Sequence, residues 1–127
     1  MNDYDFLILS PHEFENLTRD LLQKKLGVFI ESFTTGKDGG IDLRCATDKS
    51  EKIIIQAKRY ERLSNLLTNL KKEVKKVNEL KPDKYIISTT VGLSPENKTK
   101  ILKLFYPYIL TTEDILGKDD LNNIIST

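Results

Sequence analysis

The chain has 127 residues, 39% hydrophobic and 31% charged, which fits one globular domain with a single core. Its net charge of +1 excludes a protein that binds nucleic acid through bulk positive charge alone. No apolar run approaches the roughly 20 residues that cross a bilayer, and a single cysteine excludes an internal disulfide. We therefore expect a cytoplasmic protein with no membrane segment and one domain over residues 1–127, either complete or excised from a longer multidomain protein.

The first helix is predicted over residues 11–26. Ser10 can cap its start, Pro11 suits the first helical position, and Glu13 completes a capping box with the serine. Gly27 follows the last apolar residue of the stripe and is a reasonable stop, because glycine readily adopts the left-handed conformation that ends helices.

The remaining elements follow from apolar periodicity and turn residues. They are strands at 28–34, 41–47 and 52–60, a helix at 63–81, a strand at 84–90, a helix that starts at residue 95, a short strand at 108–110, and a final helix from residue 112 or 114 to about 125, broken near residue 117. A helix between the strands at 52–60 and 84–90 implies a crossover and a parallel pair, whereas the earlier strands form a meander. The predicted fold class is α/β, a mixed β-sheet flanked by helices on both faces.

The strand at 52–60 ends in polar residues that alternate between two faces. Gln56 and Lys58 share one face, while Ala57 and Arg59 point the other way. If a carboxylate from the preceding strand joined the first pair, the group would suit metal-assisted phosphodiester hydrolysis. Mg²⁺ prefers hard oxygen ligands, and a lysine amine can orient water or offset charge on the phosphate.

Asp42, which follows two glycines, is the candidate carboxylate, and its register is a test of the hypothesis. A symmetric four-residue turn over 48–51 would place Asp42 opposite Ala57 and away from Lys58. An odd-length loop or a bulge would place it opposite Gln56 or Lys58. The catalytic hypothesis therefore predicts an odd loop or a bulge. The alternative is a turn carboxylate and a strand-end lysine without catalytic roles.

Three short segments resemble the Mrr-type restriction endonuclease domain of the PD-(D/E)xK nuclease superfamily. They are FENL at 14–17, GKDGGIDL at 36–43 and QAKRY at 56–60, and their order and spacing also match that domain. The resemblance extends over about residues 9–90. It implies a restriction-endonuclease-like fold and DNA cleavage that depends on Mg²⁺, for which Mn²⁺ can substitute.

The resemblance also implies roles for individual residues. The catalytic set is Asp42, Gln56, Lys58 and Glu15, and the metal ligands are Asp42, Glu15, Gln56 and the backbone carbonyl of Ala57. Lys58 takes the position of the catalytic lysine. Gln56 occupies the position where many relatives carry a second acid, as it does throughout the Mrr branch. For Glu15, an exposed helix acid without a role in the site is the alternative.

Basic residues are concentrated in one part of the chain despite the balanced total. Residues 58–84 include nine basic and only four acidic residues, which predicts a local basic face. We predict DNA contacts from Lys37, Arg59, Lys71 and Lys75. Contacts of this kind with phosphates contribute affinity but do not distinguish one DNA sequence from another. A solvated helix face is the alternative for the two helical lysines.

Residues 94–121 are similar to nuclease domains at the N-terminus of large antiviral STAND-type ATPases. This likeness implies an effector in prokaryotic restriction or anti-phage defence, which works with a fused or partner ATPase sensor. Because one such site cuts one strand, a homodimer or higher oligomer is expected. Two other functions stay open: a junction-resolving nuclease, and a catalytically dormant domain that binds nucleic acid or a protein partner.

Overall fold

The computed structural model describes residues 4–35, 40–46 and 51–126, with the backbone alone at 32–35 and 40–46. Four α-helices, five strands and two short 3-10 helices occur in these residues. The α-helices are α1 (Pro11–Leu26), α2 (Leu63–Leu80), α3 (Pro95–Phe105) and α4 (Lys118–Ile125). The strands are β1 (Glu31–Thr35), β2 (Gly40–Ala46), β3 (Lys52–Lys58), β4 (Lys84–Thr89) and β5 (Ile115–Leu116), and the 3-10 helices are Phe6–Ile8 and Thr112–Asp114.

Helix α1 has the bounds and the caps that the sequence predicts. The Ser10 hydroxyl accepts a hydrogen bond from the Glu13 backbone N–H at 3.1 Å, and the Glu13 carboxylate accepts one from the Ser10 N–H at 2.9 Å. Two N–H groups that lack helical partners are thereby satisfied. At the other end, Gly27 has a φ of 67° and its N–H donates to the carbonyl of Gln23.

The strands form one mixed sheet in the order β1-β2-β3-β4-β5. The β1–β2 and β2–β3 pairs are antiparallel, and the β3–β4 and β4–β5 pairs are parallel. Helix α2 makes the crossover between β3 and β4, as parallel pairing requires. The meander, the parallel pair and the mixed sheet are therefore confirmed.

Each face of the sheet carries its own hydrophobic cluster, and each cluster is covered by helices. On one face, α1 and α4 pack through Phe14, Leu22 and Leu121 against Ile55 and Ile86. On the other face, α2 and α3 bury the residues Leu66, Leu70, Val77, Ile101 and Phe105 against Ile54, Tyr85 and Ile87. Strands β3 and β4 are thus covered on both sides, which explains their almost uninterrupted apolar sequences.

The strand predicted at 108–110 is wrong, because its backbone donors are already used. The N–H groups of Tyr108 and Ile109 both donate to the carbonyl of Phe105 at the end of α3. A single bond, from the Tyr85 N–H to the Tyr108 carbonyl, links this segment to β4. The fifth strand lies later in the chain, at Ile115–Leu116.

The last predicted helix is also shorter than expected, although its break is where the sequence indicates. The segment before Gly117 forms a 3-10 turn and β5, and helix α4 starts at Lys118. A Cβ at Gly117 would lie 3.0 Å from the Val91 carbonyl oxygen, so glycine permits the close backbone approach.

Strand β1 begins later than predicted, because the Ile30 N–H donates to the Gln23 side chain instead of to a strand.

In the part of the chain that the structure describes, no helix has both the length and the apolar character needed to cross a membrane.

Strand and helix ends near the predicted site agree with expectation to within two residues: β2 spans Gly40–Ala46, β3 ends at Lys58, and α2 ends at Leu80. Gln56 and Lys58 of the predicted site therefore lie at the polar end of β3, between α1 and α2.

Replacement of the α1 cap should lower stability. We expect Ser10→Ala to reduce the free energy of unfolding by about 1 kcal/mol, because the Glu13 N–H loses its acceptor. Urea unfolding at neutral pH measures the change. Ser64→Ala, at an exposed serine within α2, is the control and should change stability by less than about 0.5 kcal/mol. Equal losses in the two variants would contradict a specific role for the cap.

Candidate active site

The polar end of β3 distributes its side chains to the two faces of the sheet as alternation predicts. Gln56 and Lys58 both contact Glu73 on α2. Ala57 packs against the cluster beneath α1, and the Arg59 guanidinium donates to backbone carbonyls just before that helix. The two candidate catalytic residues of β3 are therefore together on the α2 face.

The register of β2 against β3 agrees with the catalytic hypothesis. Asp42 is the direct backbone partner of Gln56 in the antiparallel ladder. The last pair, Ala46 with Lys52, leaves the five residues 47–51 between the strands, which is the odd-length connection that was predicted. The Asp42 backbone lies beside the Gln-x-Lys segment, and its side chain lies outside the described atoms.

The side-chain amide of Gln56 is held at both ends. Its Nε2 donates to Glu73 Oε2 at 3.1 Å, and its Oε1 accepts a hydrogen bond from the Tyr85 hydroxyl at 2.5 Å. Because an ionised carboxylate only accepts hydrogen bonds, the amide nitrogen must face Glu73 and the amide oxygen must face Tyr85. Gln56 is only 4% exposed, so these contacts replace water for most of the amide.

The same Glu73 carboxylate also contacts Lys58. Lys58 Nζ lies 3.4 Å from Glu73 Oε1, and the two side chains are only 11% and 16% exposed. Attraction between charges is stronger here than at an open surface, since less water screens it. We call Gln56, Lys58, Glu73 and Tyr85 the Glu73 cluster. Burial raises the pKa of the nearby Tyr60 hydroxyl, and the negative charge of Glu73 raises it further.

Glu73 and Tyr85 were not identified from the sequence, although Glu73 left a signal there. Leu66, Leu70 and Val77 form the buried stripe of α2. Glu73 lies three residues after Leu70 and four before Val77, so an acid occupies a core-facing position of an amphipathic helix. A single charged residue on an apolar stripe indicates a buried polar partner, here the amide of Gln56.

Glu15 is buried in α1, on the face of the sheet opposite to the Glu73 cluster. It is 2% exposed, and its Oε2 forms no hydrogen bond. The His12 Nδ1 lies 3.5 Å from this oxygen, without hydrogen-bond geometry. A buried carboxylate oxygen without a hydrogen-bond donor is costly, and a bound cation would remove that cost. Because Glu15 is buried, the exposure expected under the alternative is wrong, whereas its role in the site stays a prediction.

The other predicted contact residues lie on three different parts of the chain. Lys71 and Lys75 are exposed on α2. Arg59 is also exposed, but its guanidinium holds the carbonyls of Leu7 and Leu9. Lys37 lies outside the described residues. Of the side chains that are described, no group of three or more His, Cys, Asp or Glu could hold a metal ion, and Asp42 is not among them.

Comparison with known proteins gives two matches. A family model described as a restriction endonuclease, Mrr_cat, matches residues 6–116. The chain is 43% identical over 124 residues to "Uncharacterized protein y4cD" of Sinorhizobium fredii (strain NBRC 101917 / NGR234). This alignment covers 96% of the chain and 19% of that protein, so the chain spans about a fifth of its relative's length. No solved structure matches the chain.

Removal of the Tyr85 hydroxyl should destabilise the site without removing any charge. In Tyr85→Phe, the buried Gln56 Oε1 loses the hydrogen bond from this hydroxyl, and we expect a loss of about 1–3 kcal/mol in the free energy of unfolding. The control is Tyr106→Phe, whose side chain is 66% exposed and which should be close to neutral. Chemical denaturation of the three proteins measures the difference. An unchanged Tyr85→Phe variant would show that the hydroxyl does not support the amide.

Proposed function

The chain belongs to the Mrr_cat restriction endonuclease family, and we propose that it is a metal-dependent endonuclease domain that hydrolyses phosphodiester bonds in DNA. Family membership supports a nuclease domain of restriction-type systems. The match at residues 6–116 includes every residue of the predicted site, as well as the three segments that carry the resemblance to Mrr-type domains. We propose that residues 1–127 form a single domain of this kind.

The observation that carries the proposal is the register of β2 on β3. Asp42 pairs directly with Gln56, and Lys58 follows two residues later on the same face as Gln56. Directly paired residues of an antiparallel ladder share a face as a rule, so we expect the Asp42 carboxylate beside this pair. A carboxylate, an amide and an ammonium group would then meet at one end of β3.

The donors in this region suit a magnesium ion. Mg²⁺ takes hard oxygen ligands and usually one or two carboxylates. We propose that Asp42 and Glu15 hold the ion, with the amide oxygen of Gln56 and the carbonyl of Ala57 as neutral ligands. The buried Glu15 Oε2, which has no hydrogen-bond donor, supports this choice. The hydrogen bond from the Tyr85 hydroxyl fixes the direction of Gln56 Oε1.

The chain's own residues would orient the substrate and offset its charge. When bound, the ion supplies Lewis acidity and makes a hydroxide nucleophile accessible near neutral pH. Lys58 presents an ammonium group that offsets charge on the phosphate in the transition state, and Glu73 fixes its direction. Water adds to phosphorus, one P–O bond breaks, and the leaving oxygen takes up a proton. No covalent intermediate with the protein forms.

We also propose that the domain acts in prokaryotic restriction or anti-phage defence within a larger assembly. Its relative from Sinorhizobium fredii is about five times as long as the aligned region. Such a length leaves room for a fused sensor, for which a STAND-type ATPase is our candidate. One site of this type cuts one strand, so cleavage of a duplex requires a second copy in a homodimer or higher oligomer.

A dormant binding domain is the second candidate, because the Gln56 amide is neutral and is held at both ends by Glu73 and Tyr85. A protein with this function would bind DNA without cutting it. Loss of Lys58 would then leave DNA binding unchanged. A junction-resolving nuclease, by contrast, would cut four-way junctions in preference to linear duplex.

The nuclease proposal predicts metal-dependent cleavage of plasmid. Purified chain with Mg²⁺ or Mn²⁺ should nick or linearise supercoiled plasmid, and EDTA should stop the reaction. Asp42→Ala and Lys58→Ala should each reduce the rate at least about 100-fold, because each removes a group that acts on the phosphate or its nucleophile. Agarose gels of the time course measure the rates.

Matched controls make the cleavage test specific. Asp20→Ala and Lys103→Ala remove exposed residues of the same types on α1 and α3, and they should retain wild-type rates. Circular dichroism confirms that all variants fold. Cleavage that survives both Asp42→Ala and Lys58→Ala would overturn the assigned site. If folded wild-type chain is inactive even as an enforced dimer while it still binds DNA, the dormant domain is the better function.

The proposed DNA contacts of α2 predict a change in salt dependence. Each phosphate contact contributes about 0.9 to the slope of log K against log[salt] for duplex DNA. The double variant Lys71→Ala/Lys75→Ala should therefore lower the slope by about 1.8, measured by fluorescence anisotropy with a labelled duplex. Lys100→Ala/Lys103→Ala, two exposed lysines on α3, is the control. Equal slopes in the two double variants would show that α2 makes no specific contribution.

A further inference from the structure

We propose that Glu73 supplies a metal-binding carboxylate from α2, and that Gln56 holds this carboxylate in place. The inference rests on the proposed nuclease function and adds a ligand to its site. Glu73 has both oxygens directed toward β3, one at 3.1 Å from the Gln56 amide and one at 3.4 Å from the Lys58 ammonium. Each carboxylate oxygen retains lone pairs after one such contact.

A carboxylate at the position of Glu73 loses part of its hydration, and this costs free energy that a purely structural residue would not need to lose. Glu73 lies on the buried stripe of α2 between Leu70 and Val77, where an apolar side chain would pack without any loss of hydration. Replacement of buried ion pairs by apolar residues is often neutral or stabilising. The charge at this position therefore points to a function that an apolar residue could not perform.

The geometry around Gln56 explains why an amide suits that position. The backbone partner of Gln56 is Asp42 on β2, and its side-chain partner is Glu73 on α2. A second acid at position 56 would place two carboxylates at about hydrogen-bond distance, which disfavours ionisation of both. An amide instead donates to Glu73 and leaves it ionised. Within the Glu73 cluster the charges of Glu73 and Lys58 balance. The Asp42 carboxylate, which we propose as a ligand from the strand paired with Gln56, would add a negative charge that favours a bound metal ion.

Metal affinity tests the inference without reliance on catalysis. Titration of the purified chain with Mn²⁺ by isothermal calorimetry should give at least about tenfold weaker binding for Glu73→Gln, since one ligand is lost. Glu79→Gln, at an exposed residue of the same helix, should match wild type. Circular dichroism checks that the variants are folded.

An exchange of the two groups separates a ligand from a packing role. In Gln56→Glu/Glu73→Gln the amide and the carboxylate change places, so the hydrogen bond between them can form in reverse. If the carboxylate is the ligand, this double variant should recover most of the Mn²⁺ affinity lost in Glu73→Gln. Wild-type affinity in folded Glu73→Gln would overturn the inference, as would weak binding that the exchange does not restore.

Asp42→Asn distinguishes failure of this inference from failure of the proposed function. If Asp42→Asn weakens Mn²⁺ binding and Glu73→Gln does not, the nuclease site stands and Glu73 only positions Lys58. If neither variant changes Mn²⁺ binding and the wild-type chain cuts no plasmid, the proposed function itself fails. Weakened binding in both variants, with recovery in the exchange variant, supports both.

Discussion

The structure depends on the confinement of β3 on all four sides. Its two edges pair with β2 and β4, and its two faces are covered by α1 and α2. Residues 53–56 are buried, and a shift by one residue would exchange the isoleucines between the two clusters and turn the polar Gln56 toward the cluster beneath α1. Such a shift is strongly disfavoured. With the register fixed, position along the strand decides which face each polar residue meets. Gln56 and Lys58 consequently face α2, whereas Arg59 reaches the segment before α1.

In the Glu73 cluster, side chains from packed helices and strands hold the buried amide of Gln56. Three elements contribute to the cluster: β3 through Gln56 and Lys58, α2 through Glu73, and β4 through Tyr85. The amide and the carboxylate are planar groups whose contacts fix their orientation. Because the residues lie on a helix and on strands that are themselves packed, the position of the Lys58 ammonium is fixed by the fold. In the proposed reaction, preorganised charge of this kind would act on the transition state without further rearrangement.

Local signals in the sequence predicted most of the fold, and longer-range contacts account for what they missed. The bounds of α1 follow from Ser10, Glu13 and Gly27, which act within a few residues of their own positions. The odd number of residues between β2 and β3 could be deduced from the hypothesis about Asp42. A symmetric four-residue turn would pair Asp42 with Ala57, whereas an odd-length loop pairs it with Gln56. The strand expected at 108–110 failed, since nothing in its apolar sequence shows that Phe105 takes its donors.

The candidate site was predictable to a similar degree. Short motifs were sufficient to select Gln56 and Lys58, because both lie on one strand and alternation places them together. Glu73 was missed because its partner is 17 residues away in sequence and meets it only after the β3–α2 crossover forms. The acid on the α2 stripe was visible, but its partner could be identified only from the packing of that helix on β3.

The buried Glu15 and the partly buried Glu73 lie on opposite faces of the sheet, and this limits where an ion could contact both. Arg59 binds the carbonyls of Leu7 and Leu9, which brings the start of α1 to the end of β3. An ion shared by both acids must therefore lie at the strand end, since the sheet separates the faces elsewhere. The Lys58 carbonyl there already accepts from Thr89 Oγ1 at 2.7 Å and from the Thr90 N–H at 3.3 Å. Both lone pairs of that oxygen are engaged, so Lys58 can serve such an ion only through the charge of its ammonium group.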